Sequence, residues 1–323
     1  MPPDTTPAPG LMAAERHAFE TDGFFKLERA FDPIDAARME DEWWAELADK
    51  HAVVRGDPST WRQLVTHLKR PKRARSERQF ETAGMKCAID VLLGEDTWDW
   101  PKHWGRAKLN MPSGAPATAW DVPKRLWHWD GELGWNIERP QSVFVFAFVG
   151  ATAPRGGGTL VIAGSQKLVR RQYLNLSNLQ RANGAAWQRD QFGRLHPWLK
   201  ALTGVGRGGE DRIGAFMRDG ADVEGIPMRV VELTGAPGDA YLCDPLLVHC
   251  VAPNCADRPR MMRIQMVYNR EARQAIKQAT DRARPERRAR PGFRPARICY
   301  VCAERRGRCS ARACRETEMR SGA

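Results

Sequence analysis

His128-Trp129-Asp130 places an imidazole and a carboxylate two residues apart. On an extended chain, positions i and i+2 point to the same side, so both groups would face one way while Trp129 packs on the other. Two such groups can occupy adjacent corners of an octahedral metal site. A second imidazole from a distant strand completes a two-histidine, one-carboxylate face and leaves three neighbouring positions open. That arrangement suits an iron(II) that must accept a chelating acid and O2. The spacing alone is weak, because with seven histidines about one His-x-Asp is expected by chance. A strand histidine beside a surface carboxylate is the plainer alternative.

The second imidazole on offer is His249, near the end of GDAYLCDPLLVHCVAPN. A histidine among apolar residues is more often a satisfied core side chain than a ligand. Eleven residues on, Arg260 opens the alternating stretch RMMRIQMVY. A buried guanidinium needs a bidentate anionic partner, and the far carboxylate of 2-oxoglutarate would be one. Arg258 and Arg263 compete for the role. Arg258 sits on a loop beside Asp257, and Arg263 should face away from Arg260, so Arg260 is preferred.

The elements that must position these residues are mostly short strands. Strand-type runs cover Phe24–Leu27, Ala107–Met111, Leu126–Asp130, Gln141–Val149, Thr159–Ala163, Met228–Glu232, Asp239–Cys243, Val248–Val251 and Met261–Tyr268, with Gly/Pro turns between them. Helices precede them. One spans about Ala13–Thr21; another opens at Asp32-Pro33, an N-cap followed by proline at the first helical position, and runs to about Lys50. Its apolar stripe is Ile34, Met39, Trp43, Trp44 and Leu47. The pattern predicts a mainly β fold with flanking helices, a sandwich or jelly roll. Residues 167–227 carry helical character and little strand signal, which predicts an insertion forming a lid or wall over the barrel mouth. Trp127, Trp135 and Trp198 are candidates for an apolar substrate wall, and each is equally a candidate for the core. Gly156–Gly158 lack a following Lys-Ser/Thr and a helix start, so they indicate a tight turn and not a phosphate cradle.

With these pieces in place, the chain resembles the phytanoyl-CoA dioxygenase family of iron/2-oxoglutarate oxygenases. The resemblance rests on FETDGFFKLERAFDP, HWD, PRGGGTLVIAGSQK and GDAYLCDPLLVHCVAPNCADRPR, in the family's order over residues 15–268. It implies a double-stranded β-helix (cupin-like) fold, with His128, Asp130 and His249 as iron ligands and Arg260 gripping 2-oxoglutarate. It implies a further polar residue on the strand before the metal motif, for which Lys108 and Asn110 are the candidates. Val251 stands where some relatives carry a serine, so one co-substrate hydrogen bond must be absent or come from elsewhere. The implied reaction consumes O2 and 2-oxoglutarate, releases succinate and CO2, and oxidises a C–H bond of a small organic molecule, lipid-like or a secondary metabolite. Ascorbate would stimulate turnover. The carboxylate of Asp130 leaves no position for a halide, which favours hydroxylation, desaturation or cyclisation over halogenation.

Composition bounds the rest. The 323 residues are 42% hydrophobic and 28% charged, ordinary for a globular protein. The longest apolar run, Val143–Val149, suits a buried strand and not a membrane span. The first residues lack a basic or apolar leader, which predicts a cytoplasmic protein. Residues 1–11, rich in Pro and Thr, are expected to be disordered. The net charge of +12 is uneven: residues 270–323 hold 16 basic and 6 acidic residues, leaving +2 for residues 1–269. A nucleic-acid partner is therefore not indicated for the body. The run KRPKRARSER at 69–78 is either a solvated loop or a landing site for an anionic group. Cys299, Cys302, Cys309 and Cys314 in the basic tail are spaced C-x2-C-x6-C-x4-C, which departs from the paired C-x2-C of common zinc sites. Two other functions fit the same residues: a non-catalytic jelly-roll binding protein, and a zinc- and RNA-binding protein acting through the tail.

Overall fold

Nine strands form two antiparallel sheets in the computed structural model, which describes residues 9–61, 68, 75–105, 107–131, 137, 139–181, 183–204 and 211–278. They are β1 (Phe24–Leu27), β2 (Ala107–Asn110), β3 (Ser142–Phe148), β4 (Thr159–Ala163), β5 (Ala221–Val223), β6 (Ile226–Leu233), β7 (Ala240–Cys243), β8 (His249–Val251) and β9 (Arg260–Tyr268). The larger sheet has the order β1-β7-β3-β9-β2, the smaller β5-β6-β4-β8. From β6 onward successive strands alternate between the two sheets, the winding of a double-stranded β-helix. The helices are α1 (Pro9–Asp22), α2 (Pro33–His51), α3 (Ala83–Leu93), α4 (Ser165–Asn175), α5 (Asn178–Arg181), α6 (Gly184–Arg194) and α7 (Pro197–Leu202). The chain divides into two units, Met1–Ile276 and Lys277–Ala323, and both sheets and the seven helices named above lie in the first.

Side-chain alternation along β3 sets the layers. Val143, Val145 and Ala147 face a core shared with Met39, Trp43, Leu47 and Ile89 of α2 and α3. Phe144, Phe146 and Phe148 face the opposite way, into the space between the sheets, where they meet Val161, Leu233, Leu247 and Met262. The outer face of the small sheet (Leu160, Ile162, Val230, Val248, Cys250) packs on Leu168, Phe192, Leu199 and Phe216. Three apolar layers result: helices on the large sheet, the inter-sheet interior, and the insertion on the small sheet.

Several expectations need correction. Leu126–Asp130 is not a strand: only His128 pairs, in an isolated bridge, and Leu126 takes φ 70°, a left-handed conformation that interrupts extension. Ile34, in the first turn of α2, is exposed, and Ala36 takes its place in the buried stripe. Helix α1 begins at Pro9, inside the segment read as disordered. The short strand β5, hairpinned to β6, carries too few residues to show an alternation. The described part of the 167–227 insertion chiefly backs the small sheet, because the apolar faces of α4, α6 and α7 are buried there. It is less a cover for the barrel mouth than a rear wall. Residues 270–276, assigned to the tail, are helical, and Arg270 bonds the Asp99 carboxylate and the carbonyls of Asp96 and Trp98. Other readings matched closely: Asp32 caps α2 by accepting from the Ile34 N–H at 2.8 Å.

Candidate metal centre

The site is built around one antiparallel bridge. His128 N–H donates to the His249 carbonyl at 2.9 Å and His249 N–H donates to the His128 carbonyl at 2.7 Å. Residues that exchange both bonds lie directly opposite, so their side chains leave the same face. That face is the interior one, since the His249 ring meets Phe144 and Phe146 edge-on at 5.7 and 5.9 Å. Trp129, between the ligands, turns the other way and packs against Phe192 of α6. Gly131 then closes the approach: its N–H donates to the Pro245 carbonyl at 2.7 Å, and a Cβ there would meet that oxygen at 2.8 Å. Only glycine lets the two segments run this close.

His128, Asp130 and His249 each offer an atom within 4.8 Å of the others. His128 Nε2 lies 3.8 Å from Asp130 Oδ1, and His249 Nε2 lies 3.6 Å from Asp130 Oδ2. Ligands at right angles with bonds of ~2.1 Å would stand roughly 3 Å apart, so small side-chain shifts complete the geometry. The tautomers are set locally. His128 Nδ1 is 2.7 Å from the Leu126 carbonyl, and His249 Nδ1 is 2.9 Å from the Leu247 carbonyl. A carbonyl only accepts, so Nδ1 carries the proton in each ring and Nε2 presents a lone pair to the site.

Electrostatics agree with this arrangement. Burial, reinforced by the charge of His249, pushes His128 down to about 4; the Leu126 carbonyl and Asp130 oppose this and Arg189 adds to it. Burial pushes Asp130 upward, but the neighbouring His249, His128 and Arg189 outweigh it and bring it to about 2. At neutral pH the set is therefore a neutral His128 and an ionised Asp130, the forms that bind a divalent cation. The His249 side chain is 8% exposed, His128 24% and Asp130 43%, so the centre opens to solvent on the Asp130 side.

Arg260 is fully buried on β9, and burial alone lowers it to about 10. Its pleat position shares the interior face with Met262, Ile264 and Met266. Nη1 meets the Met262 sulfur at 3.1 Å, Nε has no partner, and no carboxylate among the described residues pairs with it. A buried cation without a counter-charge, on the same interior as the three ligands, fits an anion that arrives with a ligand. The other arginines are placed differently. Arg263 points to the helix layer, over Trp43 and bonded to the carbonyls of Trp104 and Gly105. Arg258 is exposed beside Asp257.

Lys108 and Asn110 stand opposite Met262 and Arg260 in the β2–β9 ladder and so share the interior side. Lys108 is exposed. Asn110 donates to the carbonyls of Gly157 and Ala252 at 3.0 and 2.8 Å, tying the glycine turn to the end of β8. Gly157 supplies the positive φ (77°) of that turn. Val251 is 46% exposed on the His249 face, and directly across from it the buried Thr159 offers a hydroxyl on the same face. Trp127 is buried with its indole N–H donating to the Pro123 carbonyl, and Trp198 packs on Phe216; both belong to the layer behind the small sheet. Trp135, most of the 69–78 run and the tail cysteines lie outside the described residues.

Two contributors were not found from sequence. Arg170 on α4 pairs with Asp244 at 2.5 Å and donates to the Ile137 carbonyl at 2.8 Å, while Asp244 receives the Leu246 N–H. This knot fixes the turn entering β8 to Ile137, between Asp130 and β3. Asp244-Pro245 is a turn signal in sequence, but nothing there pointed to Arg170. Arg189 on α6 donates to the Trp129 carbonyl at 2.9 Å, between two ligands. It lies in a helical stretch with no motif around it.

No protein-family model matches the sequence, and no curated protein matches it. Among solved structures the chain is similar to AviO1 from Streptomyces viridochromogenes Tue57, at 15% identity and a TM-score of 0.46, over 80% of this chain and 95% of that one. It is similar to EvdMO1 at 17% and 0.49, spanning 80% of this chain but only 50% of that one. A third is the epimerase SnoN, solved in complex with Fe3+, alpha ketoglutarate and nogalamycin RO, at 14% and 0.43, over 81% and 85% of the two chains.

Proposed function

We propose that this protein is a non-haem iron(II), 2-oxoglutarate-dependent oxygenase, acting as a hydroxylase on a C–H bond of a small organic substrate. One observation carries the reading. Two Nε2 lone pairs and one carboxylate converge on a point, and the same interior holds a buried arginine without a counter-ion among the described residues. A structural zinc site would be closed by a fourth protein ligand, and among the described residues no fourth His, Cys, Asp or Glu joins the cluster.

In this reading His128, His249 and Asp130 hold the metal through Nε2, Nε2 and a carboxylate oxygen. Arg260 would hold the far carboxylate of 2-oxoglutarate by charge-assisted hydrogen bonds, and the Thr159 hydroxyl would stand in for the serine missing at Val251. When bound, the metal and 2-oxoglutarate activate O2 by oxidative decarboxylation, with succinate and CO2 as products. Phe144, Phe146, Leu247 and Met262 keep water from the inner side. Asp130 would occupy the place a halide needs, which favours hydroxylation, desaturation or cyclisation over halogenation. The substrate, lipid-like or a secondary metabolite, enters from the exposed Asp130 side.

The test is succinate formation from 2-oxoglutarate in the presence of iron(II) and ascorbate. Slow uncoupled turnover is expected without substrate, and none in Asp130→Ala. Absence of succinate from iron-loaded, folded wild-type protein across a substrate panel would leave the non-catalytic binding protein as the better account.

A further inference from the structure

Arg189 is a cation that the proposed chemistry does not use. It reaches from α6 to the backbone between His128 and Asp130, with Nη2 on the Trp129 carbonyl and its guanidinium carbon 5.7 Å from the Trp129 ring centre. It is close enough for its charge to act on both His128 and Asp130. Its Nε is shielded and has no hydrogen-bond partner, and no carboxylate among the described residues lies within ion-pair distance of it. The side chain is only partly buried. The carbonyl it holds belongs to the residue before Asp130, the most exposed of the three ligands.

Charge balance gives this position a meaning. A divalent metal, ionised Asp130, Arg260 and doubly charged 2-oxoglutarate together come to zero net charge. Arg189 adds one positive charge beside Asp130 that no carboxylate among the described residues offsets. A neutral substrate closing over the centre would strip water from that guanidinium and leave it unpaired, which costs several kcal/mol in a low-dielectric site. An anionic group would instead pair with it in charge-assisted hydrogen bonds.

Resting on the oxygenase reading above, we infer that Arg189 is a specificity-determining residue that selects substrates bearing a carboxylate or phosphate group, docked beside the metal on the Asp130 side.

The experiment uses full-length protein loaded with Co(II) and 2-oxoglutarate without turnover, following the cobalt d–d spectrum as ligands are added. The probes are decanoate, 3-phenylpropanoate and decyl phosphate, each against the neutral amide or alcohol of the same skeleton. In wild type at least one anion is expected to perturb the spectrum at a concentration at least tenfold below its neutral partner. Comparison of the carboxylate and phosphate arms identifies which anion the site takes. In Arg189→Gln the preference should vanish, while Arg189→Lys should recover part of it. Co(II) and 2-oxoglutarate affinities are measured first in each variant, and the probes are then compared at saturating metal and co-substrate, so that recovery of the anion preference in Arg189→Lys separates charge recognition from a merely structural role. Equal perturbation by neutral and anionic partners in wild type, no response to any anion, or an undiminished preference in Arg189→Gln overturns the inference and leaves the oxygenase reading standing. Failure of wild type to bind Co(II) or 2-oxoglutarate removes both.

Discussion

Each imidazole reaches the site with one nitrogen already engaged by the carbonyl two residues before it, and this leaves little for a metal to organise. His128→Ala should therefore lower Co(II) or Fe(II) affinity by 100-fold or more while the fold persists, as read by a metal isotherm beside a circular dichroism spectrum. The depressed pKa of His128 makes a signed prediction. An unfolded histidine takes its proton near 6.5, whereas the folded one resists until about 4. Between those values the unfolded state binds more protons, so metal-free protein loses stability as the pH falls, by up to about 1.4 kcal/mol per pH unit. His128→Phe should flatten that part of a melting-temperature profile. Asp130 acts lower down: its folded pKa of about 2 lies below the usual 3.8, so its contribution is present above that range and is lost as the pH falls toward 2. At Arg260 binding and stability oppose each other. Arg260→Met should weaken 2-oxoglutarate binding by roughly 100-fold, the loss of about 3 kcal/mol of charge-assisted hydrogen bonding, and should raise the melting temperature of the ligand-free protein by relieving a buried charge. Equal 2-oxoglutarate affinity in the two proteins would transfer the role to another residue.

At the scale of elements, the ligands stay in register because three short connections meet: the His128–His249 bridge, the Gly131–Pro245 approach and the Arg170–Asp244 pair. Gly131→Ala would push the Pro245 carbonyl away and is expected to cost metal affinity tenfold or more with a smaller change in melting temperature. Asp244→Asn leaves Arg170 facing a neutral amide, and a loss of about 3 kcal/mol is expected in a urea titration. Much of this scale could be read in the residues. Alternating or continuous apolar runs marked eight of the nine strands, and Asp32-Pro33 marked the start of α2. What escaped was tertiary in origin. Leu126–Asp130 has strand-type residues but no neighbour to pair with except at His128, so its side chains gain their common direction from one bridge. Arg170 and Arg189 act through backbone carbonyls that are remote in sequence, and no local pattern announces such partners.

For the whole molecule, the order of layers explains why the site is where it is. Helices α2 and α3 cover one face of the large sheet and the insertion covers the outer face of the small one, so only the space between the sheets remains for chemistry. Among the described residues no helix is long and apolar enough to cross a membrane. The net charge is concentrated beyond residue 269, while the proposed metal ligands and Arg260 lie within the first unit. Removing residues 279–323 should leave iron and 2-oxoglutarate affinities within twofold of the full chain, whereas a function seated in the cysteine-rich tail requires their removal to abolish it. The most direct measurement is an anaerobic titration of the iron(II)-loaded protein with 2-oxoglutarate, watched for the visible charge-transfer band of the chelate. One equivalent should generate the band in wild type and none should appear in His249→Ala. A folded wild-type protein that binds neither iron(II) nor 2-oxoglutarate stoichiometrically contradicts the account.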